Sequence, residues 1–301
     1  MKEIQWTNVE KMARENLAGL IFNCELNFDR QVDAVAQHLF AMSDVRVVLV
    51  TGPSSSGKTT FSNLLCDRLE YLGVKAHYIG LDDFFINRAD VPFLPSGVRD
   101  YDSLQAIDLP YIRKVIEGVL NAEWVEIPKY DFVTGTRKSE YSLLRLHEQD
   151  VVLIEGIHAL NPVLVEGFDT SRVCRVGIMP RRTFVMPNGS TLSPDELRLL
   201  RRTIRDYYTR NHSFEATAKQ WAEVCAADAK HIRPYMSKAD YNVDSCYDYE
   251  LLLYKACMKN LMDACELPVY ANIRDALQQV IEVPMTQIPA TSLLNEFAIF
   301  G

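Results

Sequence analysis

A glycine-rich segment with a lysine and threonines at fixed spacing is the clearest chemical feature of this sequence. The segment "GPSSSGKTT" covers residues 52–60 and fits the phosphate-binding pattern G-x-x-x-x-G-K-[ST]. Its glycines allow backbone N–H groups to curl round phosphate oxygens, and a helix is predicted to start here, which adds a favourable dipole. The alternative is a glycine-serine turn that binds nothing. The residues of the predicted cradle are Gly52, Ser54, Ser55, Ser56, Gly57, Lys58, Thr59 and Thr60.

Within this cradle, Lys58 is expected to reach the β- and γ-phosphates of a nucleotide, and the Thr59 hydroxyl to bind Mg²⁺. Two further stretches place acids directly after apolar runs: Glu155 in "VVLIEG", and Asp82 with Asp83 in "GLDDFF". Glu155 is predicted to bind Mg²⁺, directly or through water. A carboxylate beside the metal, here Asp82 or Asp83, can position an acceptor hydroxyl and accept its proton. The alternatives are a solvated acid at Glu155 and a capped turn at the aspartates.

An arginine-rich helix is the third candidate. Arg198, Arg201, Arg202 and Arg205 follow the i, i+3, i+4, i+7 spacing of one helical stripe, and apolar residues form a second stripe. Because Asp206 is the only acid close by in sequence, the like charges repel unless an anion is present. This favours an anion site over the usual solvated basic face. The helix is predicted to start with a capping box of Ser193 and Glu196, with Pro194 at its first position.

Short apolar runs alternate with helical stretches after residue 44, which predicts a parallel, doubly wound α/β sheet with helices on both faces. Ligands of such folds lie beyond the carboxyl ends of the strands. Residues 1–43 are predicted to form two amphipathic helices, the second capped by Asp29. The strand candidates are 45–52, 75–81, 151–156, 172–179 and 239–245, and the helix candidates include 59–72 and 108–120.

Composition excludes several classes of protein. The 301 residues carry a formal net charge of −8 and a pI of about 5.3, so no global charge attracts nucleic acid or an anionic membrane. The seven cysteines form no C-x-x-C pair, which favours reduced thiols. We find no signal peptide and no apolar run of membrane-spanning length. These observations predict a soluble cytoplasmic enzyme.

The motifs together resemble those of the phosphoribulokinase/uridine kinase family, most closely its bacterial uridine kinase-like nucleoside kinases. The resemblance spans about residues 45–250 in the same order, and "IPATSLLNEF" is similar to the tail of longer bacterial members. It rests on "GPSSSGKTTFSNLL", "LDDFF", "YDSLQAIDL", "PKYDFVTGTRK", "VVLIEGIHALNP", "LLRRTIRDYYTRNHS" and "SKAD".

The family resemblance implies a role for each matched position. It implies a P-loop NTPase-type kinase domain over 44–301 whose arginine-bearing helical lid covers about 181–220. It makes Asp82 the catalytic base, close to the metal held with Thr59 and Glu155, and leaves Asp83 out of the chemistry. Lys58 and Arg205 assist phosphoryl transfer, and Arg205 and Arg210 contact the triphosphate. The residues implied for the acceptor are Asp102, with Tyr101 beside it in sequence, then Tyr130, Arg202, His212 and Gln220. A helix cap at Asp102 and a core-packed Tyr130 are the alternatives.

One position departs from the family. Gly135 stands where uridine-cytidine kinases commonly carry a histidine that helps to read the pyrimidine, so base selectivity is in doubt, or comes from another side chain such as His212. The leading expectation is an ATP- and Mg²⁺-dependent kinase acting on the 5′-hydroxyl of a ribonucleoside, uridine or cytidine before others. The alternatives are a kinase for another alcohol, such as a sugar phosphate or a pantothenate-like compound, and a non-catalytic nucleotide-binding regulator. The sequence does not distinguish ATP from GTP as the phosphate donor. It also does not reveal feedback regulation or whether a homo-oligomer forms.

Overall fold

The computed structural model describes residues 2–94, 97–263, 265–284 and 288–297. Its strands are β1 (Lys2–Gln5), β2 (Val47–Thr51), β3 (Ala76–Gly80), β4 (Val125–Asp131), β5 (Thr136–Leu144), β6 (Val151–Glu155), β7 (Val173–Met179), β8 (Arg182–Val185), β9 (Thr191–Leu192) and β10 (Tyr241–Asp244). Its α-helices are α1 (Trp6–Ala41), α2 (Lys58–Tyr71), α3 (Leu109–Leu120), α4 (Pro194–Arg210), α5 (Phe214–His231), α6 (Arg233–Met236), α7 (Glu250–Asp263) and α8 (Ala271–Gln278).

The central sheet has the strand order β10-β7-β2-β6-β3, and all its pairings are parallel. It contains all five strand candidates, which confirms the predicted doubly wound α/β fold. The strand β2 is buried at every position because both faces of the sheet are covered. Val48 and Val50 pack with residues of α1 and α2, whereas Val47 and Leu49 pack with residues of α3. The two layers therefore hold the strand ends rigidly.

The N-terminal segment differs from its prediction in where its helix is interrupted. The predicted break with a cap at Asp29 is wrong: α1 continues through this residue, and Asp29 instead pairs with Arg68 of α2 at 3.2 Å. The interruption lies at Asn16, whose backbone is non-helical and whose side chain accepts the Gly19 N–H at 2.9 Å. An asparagine in this geometry caps the following helical stretch, an interaction that hydrophobic periodicity does not reveal.

Two smaller sheets flank the central one. The first has the order β1-β8-β9, and the second is the antiparallel hairpin of β4 and β5, which the sequence interpretation did not foresee. The predicted start of α4 is confirmed, with Ser193 and Glu196 forming a capping box and Pro194 in the first turn. None of the described helices is both long and apolar enough to cross a bilayer. All seven cysteines are unpaired.

Candidate active site

Three strand ends bring the predicted phosphate and metal residues together. β2 leads into the phosphate cradle, β6 ends at Glu155, and the short 3₁₀ turn Leu81–Phe84 follows β3. β6 lies between the other two strands, with Glu155 in register with Val50 on one side and Gly80 on the other. The Thr59 hydroxyl donates to the Glu155 carboxylate at 3.0 Å. Parallel pairing thus converts residues distant in sequence into one cluster.

The cradle has the close backbone packing that its glycines predict. A Cβ at Gly52 would lie 2.1 Å from the Ile178 carbonyl oxygen, and Gly57 has φ +88° with Leu293 packed against it. Only glycine fits such positions without strain. The hydroxyls of Ser55 and Ser56 are buried with no hydrogen-bond partner among the described residues. Buried polar groups without partners are rare, so these hydroxyls indicate a missing polar ligand.

The acids of the cluster repel one another. Desolvation of the carboxyl, and then the charge of Glu155, raise the pKa of Asp82 to about 6, although Lys58 opposes the shift and the residue as a whole is exposed. A carboxyl with this pKa is ionised at neutral pH and still basic enough to accept a proton. The Lys58 ammonium group donates to the Pro53 carbonyl at 3.3 Å, which holds it beside the cradle.

Sequence reasoning missed Tyr78. Its hydroxyl lies on β3 and donates to the same Glu155 oxygen as Thr59, at 2.9 Å. A tyrosine inside a short strand carries no motif, so only the pairing of β3 with β6 reveals this contact. It orients the carboxylate at the predicted metal position.

Several acids besides Asp206 balance the arginine stripe of α4, so the expectation that Asp206 alone does so is wrong. Arg198 and Arg201 are completely buried. Arg198 pairs with Asp195 and Asp228, and Arg201 pairs with Glu250 at 2.8 Å. These acids come from the first turn of α4 and from α5 and α7, so sequence proximity could not identify them all.

Both buried arginines also support the cradle from beneath. Arg198 donates to the Ser54 carbonyl at 2.9 Å, and Arg201 donates to the Ser55 carbonyl at 3.5 Å. Their guanidinium groups are already satisfied by carboxylates and carbonyls. We therefore interpret this half of the stripe as structural.

The remaining arginines of α4 are balanced less completely. Arg202 donates to the Ser54 hydroxyl and to the Gln220 side chain, both at 3.0 Å, and pairs with Asp206. Arg205 pairs with Asp206 and with Glu296, each at 3.5 Å. Burial, together with the charge of Arg210, lowers the pKa of Arg205, which shows that its positive charge lacks sufficient compensation.

Glu296 is a second residue that sequence reasoning missed. Its carboxylate accepts a hydrogen bond from Thr60 of the cradle at 2.9 Å and also faces Arg205. The resemblance singled out the surrounding "IPATSLLNEF" segment but assigned it no contact. A carboxylate here joins two residues that were predicted to bind nucleotide phosphates.

The end of α4 carries two further predicted residues, Arg210 and His212. Arg210 is exposed and pairs with Asp206 at 3.1 Å. His212 follows the left-handed cap residue Asn211 and is exposed, and its backbone N–H donates to the Asp206 carbonyl at 3.0 Å. The structure does not bring either side chain to the strand ends.

Asp102 lies close enough to Asp82, Lys58 and Arg202 for their charges to interact. Burial and the Asp228 carboxylate raise the pKa of Asp102, and the Arg202 guanidinium opposes this shift. Its carbonyl accepts a hydrogen bond at 3.0 Å from His158, whose pKa is lowered to about 4 by burial and by His231. His158 is therefore a neutral structural residue.

Tyr130 lies on β4 and is only 6% exposed. Its ring packs edge-to-face against Phe85 and Phe132, yet its hydroxyl has no partner among the described residues. These rings, with Tyr101 and Arg88, line a cavity of about 310 Å³. Asp83 accepts the Tyr130 backbone N–H at 3.1 Å and pairs with Lys129, so it ties the cavity wall to the turn that carries Asp82.

Gly135 lies in the turn between β4 and β5. The Arg88 side chain fills the space that a side chain at position 135 would occupy. Gly135 has φ +72°, and a Cβ there would lie 2.5 Å from Arg88 Nε and 2.7 Å from Arg88 Cζ. That another side chain such as His212 contributes to base selectivity stays a prediction. Arg88 belongs to no motif that the sequence interpretation used.

The oxygen atoms beside the cradle suit Mg²⁺. Thr59 and Glu155 share a hydrogen bond, and Asp82 lies close enough to Glu155 for their charges to interact. Mg²⁺ commonly uses one or two carboxylates and completes its shell with water and substrate phosphates. Among the described ranges, no group of three or more His, Cys, Asp or Glu residues could hold a metal alone. Binding would therefore depend on nucleotide oxygens.

Comparison with known proteins identifies the family. The model of the phosphoribulokinase/uridine kinase family matches residues 47–168 and 191–251. The chain belongs to this family. Uridine kinase from Mycoplasma genitalium is 30% identical over 182 residues, which cover 60% of this chain and 75% of the relative. Uridine kinase from Ligilactobacillus salivarius is 28% identical over 176 residues, or 58% and 73% of the two chains.

A structural neighbour agrees with the fold. A solved structure from Silicibacter sp. TM1040, described as a fructose transport system kinase, has a TM-score of 0.50 and 17% identity, and the match covers 70% of this chain and 98% of the neighbour. At this identity the likeness concerns the fold alone. Family membership and the uridine kinase relatives make the chain a kinase, an ATP-dependent phosphotransferase that acts on a small molecule.

Proposed function

We propose that this kinase transfers the γ-phosphoryl group of ATP to the 5′-hydroxyl of a ribonucleoside, with uridine among its acceptors. The observation that carries the proposal is the aromatic cavity next to the Asp82 turn. Phe85 lines this cavity and directly follows the 3₁₀ turn Leu81–Phe84. Its aromatic walls suit packing against a flat aromatic ring, and the buried Tyr130 hydroxyl still lacks a hydrogen-bond partner among the described residues.

Asp82 is the proposed general base. A ring held in the cavity directs its attached ribose toward the strand ends, where Asp82 can accept the proton of the 5′-hydroxyl. Its pKa of about 6 suits this role, because the ionised form dominates at neutral pH while some basicity remains. Asp102 is proposed to bind the ribose hydroxyls.

The cradle and the less balanced arginines are proposed to bind the triphosphate. Phosphoryl transfer depends mainly on positioning and on compensating the charge of the transferred group. Lys58 lies beside the cradle, and the lowered pKa of Arg205 shows a cation that gains from a nearby anion. Arg202 contacts both the Ser54 hydroxyl and Gln220, so it can link the phosphate side to the acceptor side. Arg210 and His212 would need α4 and its C-terminal end to move.

Thr59, Glu155 and Asp82 are proposed to hold Mg²⁺ together with the nucleotide phosphates. Mg²⁺ held by these residues would compensate the negative charge of the phosphates during transfer. Tyr78 and Thr59 orient the Glu155 carboxylate for this task through their hydrogen bonds. The ion would also reduce the repulsion between Glu155 and Asp82.

Steady-state assays with ATP, Mg²⁺ and a panel of acceptors test the proposal, with the phosphorylated product identified by mass spectrometry. The panel contains ribonucleosides, 5′-deoxyuridine, sugar phosphates and pantothenate. We expect turnover of uridine and none of 5′-deoxyuridine, which lacks the acceptor hydroxyl. Turnover of a non-nucleoside alcohol without any ribonucleoside product would refute the nucleoside assignment. ATP consumption without any phosphorylated acceptor would favour the regulator.

A further inference from the structure

Arg88 lines the aromatic cavity and contacts the turn between β4 and β5. Its backbone N–H donates to the Gly135 carbonyl at 2.7 Å. Its guanidinium donates to the Phe132 carbonyl at 2.6 Å and lies 3.5 Å from the Val133 carbonyl oxygen. These contacts wrap the side chain round the turn between β4 and β5. The guanidinium is therefore held in place although the residue as a whole is exposed.

A third contact of the Arg88 side chain is made with another residue that lines the cavity. Its Nε–H donates to the Tyr101 hydroxyl at 3.0 Å, and both residues line the cavity. A guanidinium has five N–H donors and no acceptor, so these three contacts leave two donors for a ligand. The other lining groups are aromatic rings. Arg88 is consequently the only cation, and its group the strongest donor, among the residues that line this cavity.

We propose that Arg88 is a specificity-determining residue that selects acceptors whose planar ring carries an oxo group at the edge remote from the ribose. This inference rests on the proposed nucleoside kinase activity. A carbonyl oxygen at that edge can accept from the free N–H groups of Arg88. An amino group in the same place would put donor against donor and leave both unsatisfied in a largely apolar cavity.

The consequence is discrimination between rings of nearly the same shape. Uracil carries an oxo group at the position where cytosine carries an amino group. A site that hydrogen-bonds one polar group rejects an analogue that cannot pair with it. A hydrogen bond to a charged group supports roughly 10- to 100-fold discrimination. We therefore expect kcat/KM for uridine to exceed that for cytidine by at least about tenfold.

Kinetics with uridine and cytidine on the full chain test this inference. Arg88→Met keeps an unbranched stem and removes the donors, so the uridine-to-cytidine ratio of kcat/KM should fall to within about threefold of unity. Arg145→Met is the matched control, because Arg145 is also exposed and also donates to a backbone carbonyl, that of Ala122 at 2.9 Å, outside the cavity. Its ratio should equal that of the parent.

Gly135→Ala provides an independent perturbation that leaves Arg88 in the sequence. The added Cβ would collide with the guanidinium and stem of Arg88, so the side chain must move and the ratio should fall as well. Should Arg88→Met melt below the assay temperature, Arg88→Lys decides in its place. Lysine keeps the charge but loses the fork of donors, so its ratio should fall at least threefold.

The outcomes separate this inference from the function beneath it. A parent ratio near unity, or equal losses for both nucleosides in the Arg88 variants, would show a structural role and overturn the inference while leaving the nucleoside kinase intact. Turnover of no ribonucleoside would overturn both.

Discussion

Charged groups beneath the phosphate cradle and charged groups in the cleft above it are balanced in opposite ways. Beneath the cradle, Arg201 and Glu250 are both fully buried and lie 2.8 Å apart, and the carboxylate raises the pKa of Arg201 despite the opposing effect of burial. In the cleft, the pKa of Arg205 is lowered and that of Asp82 is raised. Both shifts disfavour the charged form.

This difference distinguishes arginines that stabilise the fold from arginines that are expected to bind a ligand. Arg201 and Arg205 lie one helical turn apart on α4, yet only Arg201 has a fully satisfied charge. A folded protein that leaves charges unbalanced in a cleft gains from a ligand that balances them. In a kinase, the nucleotide phosphates and Mg²⁺ would supply the missing charges. The comparison thus predicts which substitutions should alter catalysis and which should alter folding.

Asp82→Asn should have the largest effect. We expect turnover to fall by roughly 10²- to 10⁴-fold, because a general base is lost. Nucleotide binding should change little. The folded-state pKa of Asp82 is raised from 3.8 to about 6, so its ionisation lowers the unfolding free energy as the pH rises between these values, and the full penalty is present above about pH 6. The unfolding free energy of the variant at pH 7–8 should therefore be unchanged or higher, as measured by urea denaturation.

The pH profile gives a second measurement of the same residue. In the parent, kcat/KM should fall about tenfold per pH unit once Asp82 becomes protonated, which happens at or below about pH 6 because bound Mg²⁺ would lower the pKa of this carboxyl. This acidic limb should be missing from Asp82→Asn. Asp83→Asn is the matched control, since Asp83 contacts the backbone of Tyr130 and Lys129 instead. Turnover of Asp82→Asn within threefold of the parent would contradict the assignment.

Arg205→Ala should have an effect of similar size, with a loss of turnover of about 10³-fold if Arg205 compensates the transferred phosphoryl group. Its ion pairs are long and its charge is poorly compensated, so the melting temperature of the unliganded protein should hardly change. Arg14→Ala removes another arginine, one paired with Glu10 on the surface of α1, and should alter neither property. A large loss of unliganded stability would place Arg205 among the structural arginines.

Arg201→Met should give the converse result. Removing the guanidinium leaves the carboxylate of Glu250 buried without its partner, which costs about 3–5 kcal/mol of unfolding free energy. Urea denaturation of the unliganded protein measures this loss. The double variant Arg201→Met with Glu250→Gln should recover part of it, because no buried charge remains. A single variant as stable as the parent would break the distinction between the two regions.

Tyr78→Phe should have the smallest effect. The substitution removes one hydrogen bond to Glu155, but Thr59 still contacts that carboxylate. We expect the Mg²⁺ concentration for half-maximal activity to rise by roughly two- to fivefold with little change in turnover at saturating Mg²⁺. Thr59→Val, which removes a proposed metal ligand, should raise it much further. Equal effects of the two would contradict the separate roles given to the two hydroxyls.

The sequence alone determined the fold class, the phosphate cradle and the position of the acids at strand ends. Each of these depends on local order: apolar runs that form strands, glycines at fixed spacing, and a helix start coded by Ser193, Pro194 and Glu196. Parallel pairing then places the ends of β2, β6 and β3 together in any sheet of this kind. This is why Lys58, Thr59, Glu155 and Asp82 could be selected in advance.

The tertiary structure alone decided which arginines of α4 are structural and which side chain fills the space beside Gly135. The partners of Arg201 and Arg205, Glu250 and Glu296, come from segments distant in sequence, so the charge balance of α4 cannot be read from α4. The contact of Arg88 with Gly135 likewise requires two loops to meet. Charge compensation and side-chain volume depend on distances in space, and spacing along the chain does not determine these distances.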